Sequence, residues 1–338
     1  MNPIDRVLTA LSFKEPDRVP LVQSLTIYGA KELGITIEDY YSNPLNVVEA
    51  QVLMQKKYSN DCYLGVYYGA AEFEAFGGKV IFSGDGPPNA GSPVINSFND
   101  IENLKDPEIE ECKILQNILQ TIKLLKEESN GKIPILGLVI SPFSLPVMQM
   151  GFEKYLDLII TSPLKFWKLM EINKRFAIRW ANMQLEAGAT AIGFVDPVSS
   201  PTIISKKMFL ETGFKIAKDV IPAIKGATAT SYASGLSLQN MEELVQTGTA
   251  MFAVSSKEDI GVAKRLSNSR LAIMGNLNGI EMCRWDKKDT ENAVKDIIKK
   301  AAKGGGFVLT DNHGEIPLQV PEAVLLTIAE AVDKYGQY

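Results

Sequence analysis

Short runs of apolar and β-branched residues alternate along this chain with longer stretches in which apolar residues recur every three or four positions. The short runs predict strands, and the longer stretches predict amphipathic helices. The eight predicted strands cover residues 19–23, 62–67, 133–140, 190–195, 227–230, 250–254, 271–274 and 306–310. The clearest predicted helices cover residues 109–128, 163–187, 208–221, 238–247, 290–303 and 321–335. Eight strands with helices between them predict one α/β domain over residues 1–338, a closed (β/α)8 TIM barrel.

Two segments depart from this alternation. A helix is predicted over residues 2–12, before the first strand, where it would close the bottom of the barrel. Residues 72–99 are rich in glycine and proline and contain short extended pieces such as residues 79–82. That composition predicts a hairpin insertion after the second strand rather than a separate domain.

Composition and charge exclude several classes of function. The 338 residues, 46% of them hydrophobic, are enough for one large core. A formal net charge of -5 without basic runs argues against nucleic-acid and anionic-membrane partners. The start lacks the order of a signal peptide, and no segment has about 18 uninterrupted apolar residues, so we expect a cytoplasmic protein. Cys62, Cys112 and Cys283 are widely spaced, which favours free thiols over disulfides or a thiolate zinc cluster.

Polar and aromatic residues follow several predicted strands at their carboxyl ends. In a parallel barrel these positions line one mouth, where substrates bind. The candidates for substrate binding are Gln23, Tyr67, Tyr232, Ser234 and Asn276. For the two tyrosines the alternative is packing beneath the rim. Asp196 ends the fourth predicted strand, where it could act as a hydrogen-bond acceptor, a base or a metal ligand, or cap the following turn.

The last predicted strand leads into a polar turn that contains His313, the only histidine of the chain, between Asp311 and Glu315. Histidine in such a turn can transfer protons, bind a metal, or serve only as a loop residue. The sequence has no Gly-x-Ser-x-Gly nucleophile elbow and no Walker phosphate loop. A single histidine also excludes the two-histidine metal motifs.

Short motifs carry a resemblance over nearly the whole chain. They are Arg6-Val7-Leu8, Pro16-Asp17-Arg18-Val19-Pro20, Glu74-Ala75-Phe76-Gly77, Ser141-Pro142-Phe143-Ser144-Leu145, Glu186-Ala187-Gly188-Ala189, Asp196-Pro197, Ser199-Ser200-Pro201, Met274-Gly275-Asn276-Leu277, Gly304-Gly305-Gly306 and Ile316-Pro317. Together they resemble the uroporphyrinogen decarboxylase superfamily, and within it the corrinoid-dependent branch that includes the methylcobalamin:coenzyme M methyltransferases. The resemblance implies the single barrel predicted above.

The branches of this superfamily imply different activities. Its decarboxylases hold a tetrapyrrole with eight carboxylates through an arginine-rich N-terminal motif. In this chain residues 19–174 contain no arginine, and residues 21–26 carry no cation. Because a polyacid needs cationic partners, the sequence favours methyl transfer over porphyrin decarboxylation.

The methyltransferase branch implies a zinc ion bound by a His-x-Cys pair after the fifth strand and by a cysteine after the eighth. The corresponding positions in this chain are Tyr232, Ser234 and His313. A phenol and a serine hydroxyl are poor zinc ligands beside thiolate and imidazole, so two of the three family ligands are missing.

Two interpretations of the site remain open. In one, zinc is bound by His313 with carboxylates from Glu74, Asp196 or Glu315, and it polarises an ether or hydroxyl oxygen. In the other there is no metal, and His313 with Asp196 performs acid-base chemistry or has no catalytic role.

The leading hypothesis is a corrinoid-protein-dependent methyltransferase. It would move a methyl group between a small methylated substrate, such as an aromatic methyl ether, and cobalamin carried by a partner protein. A metal or a proton donor must neutralise the leaving oxygen, and we predict that His313 supplies that function with help from Asp196. The alternatives are a uroporphyrinogen decarboxylase and a non-catalytic paralogue that binds a corrinoid protein.

Overall fold

The strands form one curved parallel sheet and one small antiparallel pair. The computed structural model describes residues 1–311 and 314–338. Within these residues the strands are β1 (Tyr63–Leu64), β2 (Val80–Ile81), β3 (Asn89–Ala90), β4 (Ile135–Ile140), β5 (Ala191–Val195), β6 (Ala227–Ser231), β7 (Met251–Ala253), β8 (Ala272–Leu277) and β9 (Phe307–Asp311). The parallel sheet has the order β1-β4-β5-β6-β7-β8-β9, and β2 pairs with β3.

Helices alternate with the parallel strands and pack outside them. They are α1 (Pro3–Leu11), α2 (Tyr28–Leu33), α3 (Ile37–Ser42), α4 (Pro44–Lys57), α5 (Ala71–Ala75), α6 (Lys113–Ser129), α7 (Pro146–Met150), α8 (Phe152–Thr161), α9 (Pro163–Ala187), α10 (Lys206–Glu211), α11 (Gly213–Val220), α12 (Met241–Gln246), α13 (Ile260–Ser267), α14 (Lys287–Ala301) and α15 (Glu322–Tyr335). The chain therefore has the α/β architecture that its periodicity predicts, with a seven-stranded parallel sheet among the described residues.

The predicted first strand, residues 19–23, is reduced to an isolated parallel bridge between Leu21 and Leu309 of β9. Pro20 has no backbone N–H to donate. The backbone N–H groups of Leu21 and Gln23 donate instead to the side chains of Asp61 (2.8 Å) and Asn60 (2.7 Å). Side-chain acceptors thus replace the ladder partners that a strand needs. The segment is nevertheless held on both sides, because Leu309 N donates to Pro20 O and Asp61 N donates to Leu21 O.

Helix boundaries follow the local signals of the sequence. Helix α9 spans the predicted residues 163–187, begins with proline in its first turn and ends before Gly188, whose φ is 126°. Those residue types suit a helix start and a helix end. The predicted helix over residues 208–221 is broken at Thr212, where the backbone leaves helical geometry between α10 and α11.

The two segments that depart from the alternation are helix α1, at the start of the chain, and the antiparallel pair of β2 and β3, which follows β1. Helix α1 is capped by the Asn2 side chain, which accepts from Asp5 N at 2.9 Å. It is joined to the amino-terminal side of the sheet, since Gly306 N, just before β9, donates to Ala10 O at 2.6 Å. None of the helices in the described ranges is long and apolar enough to cross a membrane.

Candidate active site

A cavity of about 100 Å³ lies inside the curved sheet at the carboxyl ends of the strands, and we call it the carboxyl-side cavity. Its apolar part is formed by Leu64, Val66, Leu136, Leu138, Val195 and Met274. Its polar part is formed by Ser24, Thr26, Ser231, Thr310 and Asp311. None of its described lining residues is a lysine or an arginine. The cavity therefore suits an uncharged ligand with an apolar portion.

Small residues at inward-facing positions explain why the sheet encloses open space. Side chains alternate along a strand, so every second residue of β5 to β7 faces inward. The cavity-lining residues of these strands include Gly193, Ala229 and Ala253. Barrels of this size are normally filled by bulky branched side chains, so glycine and alanine leave room for a ligand.

Two acids lie close together at the rim of the carboxyl-side cavity. Asp311 accepts from Ser24 N at 3.0 Å, and Glu315 accepts from the Thr26 hydroxyl at 2.9 Å. Burial raises the pKa of the Glu315 carboxyl to about 7, the Thr26 hydrogen bond opposes this rise, and the charge of Asp311 adds to it. Near neutral pH this carboxyl group can therefore donate or accept a proton.

The Thr310 hydroxyl is a polar group buried within the same cavity. It belongs to β9, its residue is 1% exposed, and its Oγ1 has no hydrogen-bond partner among the described residues. Buried polar atoms in folded proteins are nearly always bonded, so this hydroxyl is available to a bound ligand or water.

Asp196 is buried and bonded to serine hydroxyls. It accepts from Ser144 and from Ser199, each at 2.6 Å. Burial raises its pKa to about 6, although the hydroxyl donors oppose that rise. Asp196 does not line the carboxyl-side cavity; it joins the loop after β4 to the turn after β5. Its predicted catalytic role stays a prediction, and the structure gives it in addition a role in holding two rim loops together.

The substrate-binding candidates Gln23 and Tyr67 lie outside the lining of the cavity. The Tyr67 hydroxyl is bonded to Thr121 of α6 at 2.7 Å, so its ring points into the helix layer. Gln23 is 1% exposed, and its Nε2 donates to Tyr58 O at 3.3 Å, next to α4. Their chain neighbours Ser24 and Val66 line the cavity instead.

Tyr232, Ser234 and Asn276 are likewise absent from the lining of the cavity. The buried Tyr232 ring packs against Phe252 with ring centroids 5.1 Å apart. Ser234 is exposed, and Asn276 Nδ2 donates to the carbonyls of Ser255 (2.8 Å) and Glu258 (2.9 Å). Ser231 and Ala233, which flank Tyr232 in the chain, line the cavity instead.

The residues predicted to bind zinc do not form a complete site in the described part of the chain. Glu74 accepts from the Tyr68 hydroxyl at 2.6 Å, and burial raises its pKa. Glu315 is engaged with Thr26, as given above. No three His, Cys, Asp or Glu side chains among the described residues are grouped to hold a metal ion. His313, predicted both as a ligand and as a catalytic residue, lies outside the described residues.

Three residues that are not among the predicted site residues line the cavity: Thr26, Thr310 and Met274. Thr310 and Met274 could have been found from alternation, since both lie inside strands and face the cavity by the period of two. Thr26 follows the irregular segment 19–23, and nothing in its local sequence indicates its contact with Glu315.

Comparison with known proteins identifies the relatives of this chain. The family model for uroporphyrinogen decarboxylase (URO-D) matches residues 2–335. The methylcobamide:CoM methyltransferase MtaA of Methanosarcina barkeri is 25% identical over 344 residues, which covers 98% of this chain and 97% of the relative. The uroporphyrinogen decarboxylase of Actinobacillus pleuropneumoniae serotype 5b is 26% identical over 267 residues, which covers 75% and 73%. A solved methyltransferase from Methanosarcina mazei matches with a TM-score of 0.88 at 19% identity and covers 99% of both chains, so it has the same fold.

Proposed function

Since the chain belongs to the uroporphyrinogen decarboxylase family, we propose that it is the kind of member that transfers methyl groups, with cobalamin on a partner protein as the other reactant. Family membership does not choose between methyl transfer and decarboxylation, because relatives of both kinds have similar identity to this chain. The choice depends on what the cavity can bind.

The absence of lysine and arginine from the described lining of the carboxyl-side cavity is the observation that carries the proposal. A substrate with several carboxylates must exchange strong hydration for cationic partners, and Arg is the usual one. Arg6 and Arg18 are engaged elsewhere, both with Asp61, at 2.6 and 2.7 Å. A polyanionic porphyrinogen would therefore lie against apolar side chains and carboxyl groups, whereas an uncharged methyl donor fits this lining.

The chemistry required of the site is neutralisation of a leaving oxygen. An ether oxygen leaves poorly as an alkoxide or phenoxide unless it is protonated or bound to a Lewis acid. We assign this task to His313 together with Glu315, which adjoins the cavity through its hydrogen bond with Thr26. Cobalamin, when its carrier protein is docked, would take up or supply the methyl group from outside the mouth. The residues of this chain bind the substrate and direct its methyl group outward.

Zinc bound through His313, Glu74 and Glu315 stays a prediction. Within the described residues Glu74 and Glu315 are bonded to different partners, and their arrangement does not by itself make a ligand set. We therefore attribute no step of the reaction to a metal.

A partially apolar surface suited to a protein partner lies on the carboxyl-terminal side of the sheet. Helix α9 leads into the parallel strand β5 and so begins at that side. At its start Leu164 is 89% exposed, and Ile160 at the end of α8 is 69% exposed. Ile160 lines a groove of about 360 Å³ between α8, α9 and α10, and Leu164 follows Pro163, which also lines it. Exposed apolar residues grouped in this way are typical of protein interaction sites, and we propose that the corrinoid protein docks here.

The test is a methyl-transfer assay. The protein is mixed anaerobically with cob(I)alamin and an uncharged methyl ether such as methoxybenzene, and methylcobalamin formation is followed by its absorption spectrum. We expect a rate above that of the protein-free mixture, and a reduced rate in a His313→Ala variant. The assay is repeated after chelation and with added Zn²⁺, and metal content is measured in both proteins. Decarboxylation of uroporphyrinogen in the absence of methyl transfer would identify the protein as a decarboxylase and overturn the proposal.

A further inference from the structure

A second cavity lies inside the curved sheet, toward the amino-terminal ends of the strands. This amino-side cavity has a volume of about 90 Å³ and is lined mainly by aliphatic side chains, including Val7 and Leu11 of α1. The two cavities share three lining residues, Leu136, Ala229 and Met274. A single layer of side chains therefore separates them.

The sizes of the cavities limit what each can hold alone. An engineered apolar cavity of about 150 Å³ in another protein binds benzene. The carboxyl-side cavity, at about 100 Å³, is smaller than that, and so is the amino-side cavity at about 90 Å³. The two joined would exceed the volume that an aromatic ring needs. Entry of a ring therefore requires the layer between them to open.

Met274 is the member of that layer that can move. Ala229 has no side-chain rotamers, and Leu136 is branched and stiffer. Methionine is unbranched, has three rotatable bonds and adapts to irregular apolar spaces. Met274 projects from β8 between the two cavities and is only partly buried.

The orientation of a methyl donor follows from the position of its partner. Its methyl group must face the open mouth, where cobalamin arrives, so its remaining part must point along the axis toward Met274. The oxygen that bears the methyl group would then lie near the rim, within reach of the Thr310 hydroxyl, which has no partner among the described residues.

We propose that Met274 determines substrate specificity: it moves aside so that the apolar body of a methyl ether extends from the carboxyl-side cavity into the amino-side cavity. The substrate class is thus an uncharged aryl or long alkyl methyl ether. This inference rests on the proposed function for the direction of the methyl group, but the binding that it requires can be measured without any methyl transfer.

The test is calorimetric binding of methoxybenzene and of its 4-butyl derivative to the full chain, without cobalamin. Burial of each methylene contributes about 0.8 kcal/mol, or about fourfold in affinity, so the butyl compound should bind many times more tightly. In Met251→Trp, which narrows only the amino-side cavity, we expect methoxybenzene to bind more weakly, because its ring needs part of that space, and we expect the gain from the butyl group to be lost. In Met274→Ala, which opens the layer, we expect the gain to persist.

Two results would overturn the inference: equal affinities of the two ligands for the wild-type protein, or a full butyl gain in Met251→Trp. Met251→Phe replaces the tryptophan variant if the latter does not fold, as judged by circular dichroism. Chain-length-dependent binding without methylcobalamin formation would leave this inference standing and remove the proposed function. Methyl transfer from short ethers with no effect of chain length would do the reverse.

Discussion

The buried Asp196 carboxyl group is held by hydrogen bonds from two serine hydroxyls. Its residue is 2% exposed, and the hydroxyls of Ser144 and Ser199 donate to it at 2.6 Å. These bonds offset part of the cost of burying a negative charge, but burial dominates and raises the pKa to about 6. In the unfolded chain the same group has a pKa of about 3.9.

This difference makes a prediction about the pH dependence of stability. Between about pH 4 and pH 6 the folded state holds a proton on Asp196 that the unfolded state has released, so the free energy of unfolding falls as pH rises. The contribution is fully present below pH 4 and is lost above pH 6, and its size is about 3 kcal/mol.

The measurement is urea unfolding of the wild type and of Asp196→Asn at several pH values from about 3 to 7.5. The variant is neutral throughout, so the advantage of the wild type over it should shrink by about 3 kcal/mol across this range. Other titrating groups affect both proteins equally. Parallel stability curves would show that folding does not raise the pKa of Asp196.

At the scale of elements, periodicity predicted the helices and most strands, and the misses have physical causes. The short apolar runs predict most strands of the sheet, and the spacing of apolar residues predicts α9 over residues 163–187, which are its observed bounds. The segment 19–23 has the same apolar pattern as a strand. Its backbone donors are taken by Asn60 and Asp61, forty residues on, which no local pattern can indicate.

The same limit applies to the candidate site. The sequence predicts which loops form the rim. Predicting which side chains point into the cavity requires the position of each strand to be known to within one residue. The sequence predicts Tyr67 and Tyr232 as binding residues because they lie at or just past the carboxyl ends of predicted strands, whereas their smaller neighbours Val66 and Ser231 face the cavity. A slip of one position moves a side chain to the opposite face of a strand. Volume left by small residues, as at Ala229, becomes visible only when the strands are assembled.

The segment that replaces the first strand depends on one carboxylate. Asp61, 1% exposed, accepts from Arg6, Arg18 and the backbone of Leu21. Removing one partner from a buried ionic group leaves the others uncompensated and typically costs about 3–5 kcal/mol. We therefore expect Asp61→Asn to reduce the free energy of unfolding by an amount of this order.

Asp17→Asn is the matched control for this change, because Asp17 also pairs with Arg6, at 2.7 Å, but its side chain is 37% exposed. Exposed pairs contribute about 1 kcal/mol or less. Urea unfolding of the two variants under one set of conditions gives the comparison. Similar losses in both would mean that the buried network around Asp61 does not hold the segment.

At the scale of the whole molecule, the parallel sheet gives its two ends different roles. The carboxyl ends of the strands surround the cavity with the Thr26–Glu315 pair, and helices such as α9 begin on the same side. Under the proposed function, a partner that delivers cobalamin would approach this end. Contact with such a partner would explain why the apolar residues Ile160 and Leu164 are exposed at this end.

Docking at this surface predicts a selective kinetic effect. A charge introduced by Leu164→Asp would have to be desolvated under the partner, so kcat/KM for a corrinoid protein should fall by about tenfold or more. The rate with free cobalamin, which needs no docking surface, should stay within about twofold of the wild type. Leu266→Asp is the matched control, because Leu266 is 45% exposed near the end of α13, on the amino-terminal side of the sheet. An equal loss in both variants, or a loss with free cobalamin as well, would place the docking surface elsewhere. A loss confined to Leu164→Asp and to the protein-bound cofactor has one physical source, which is contact between the partner and the start of α9.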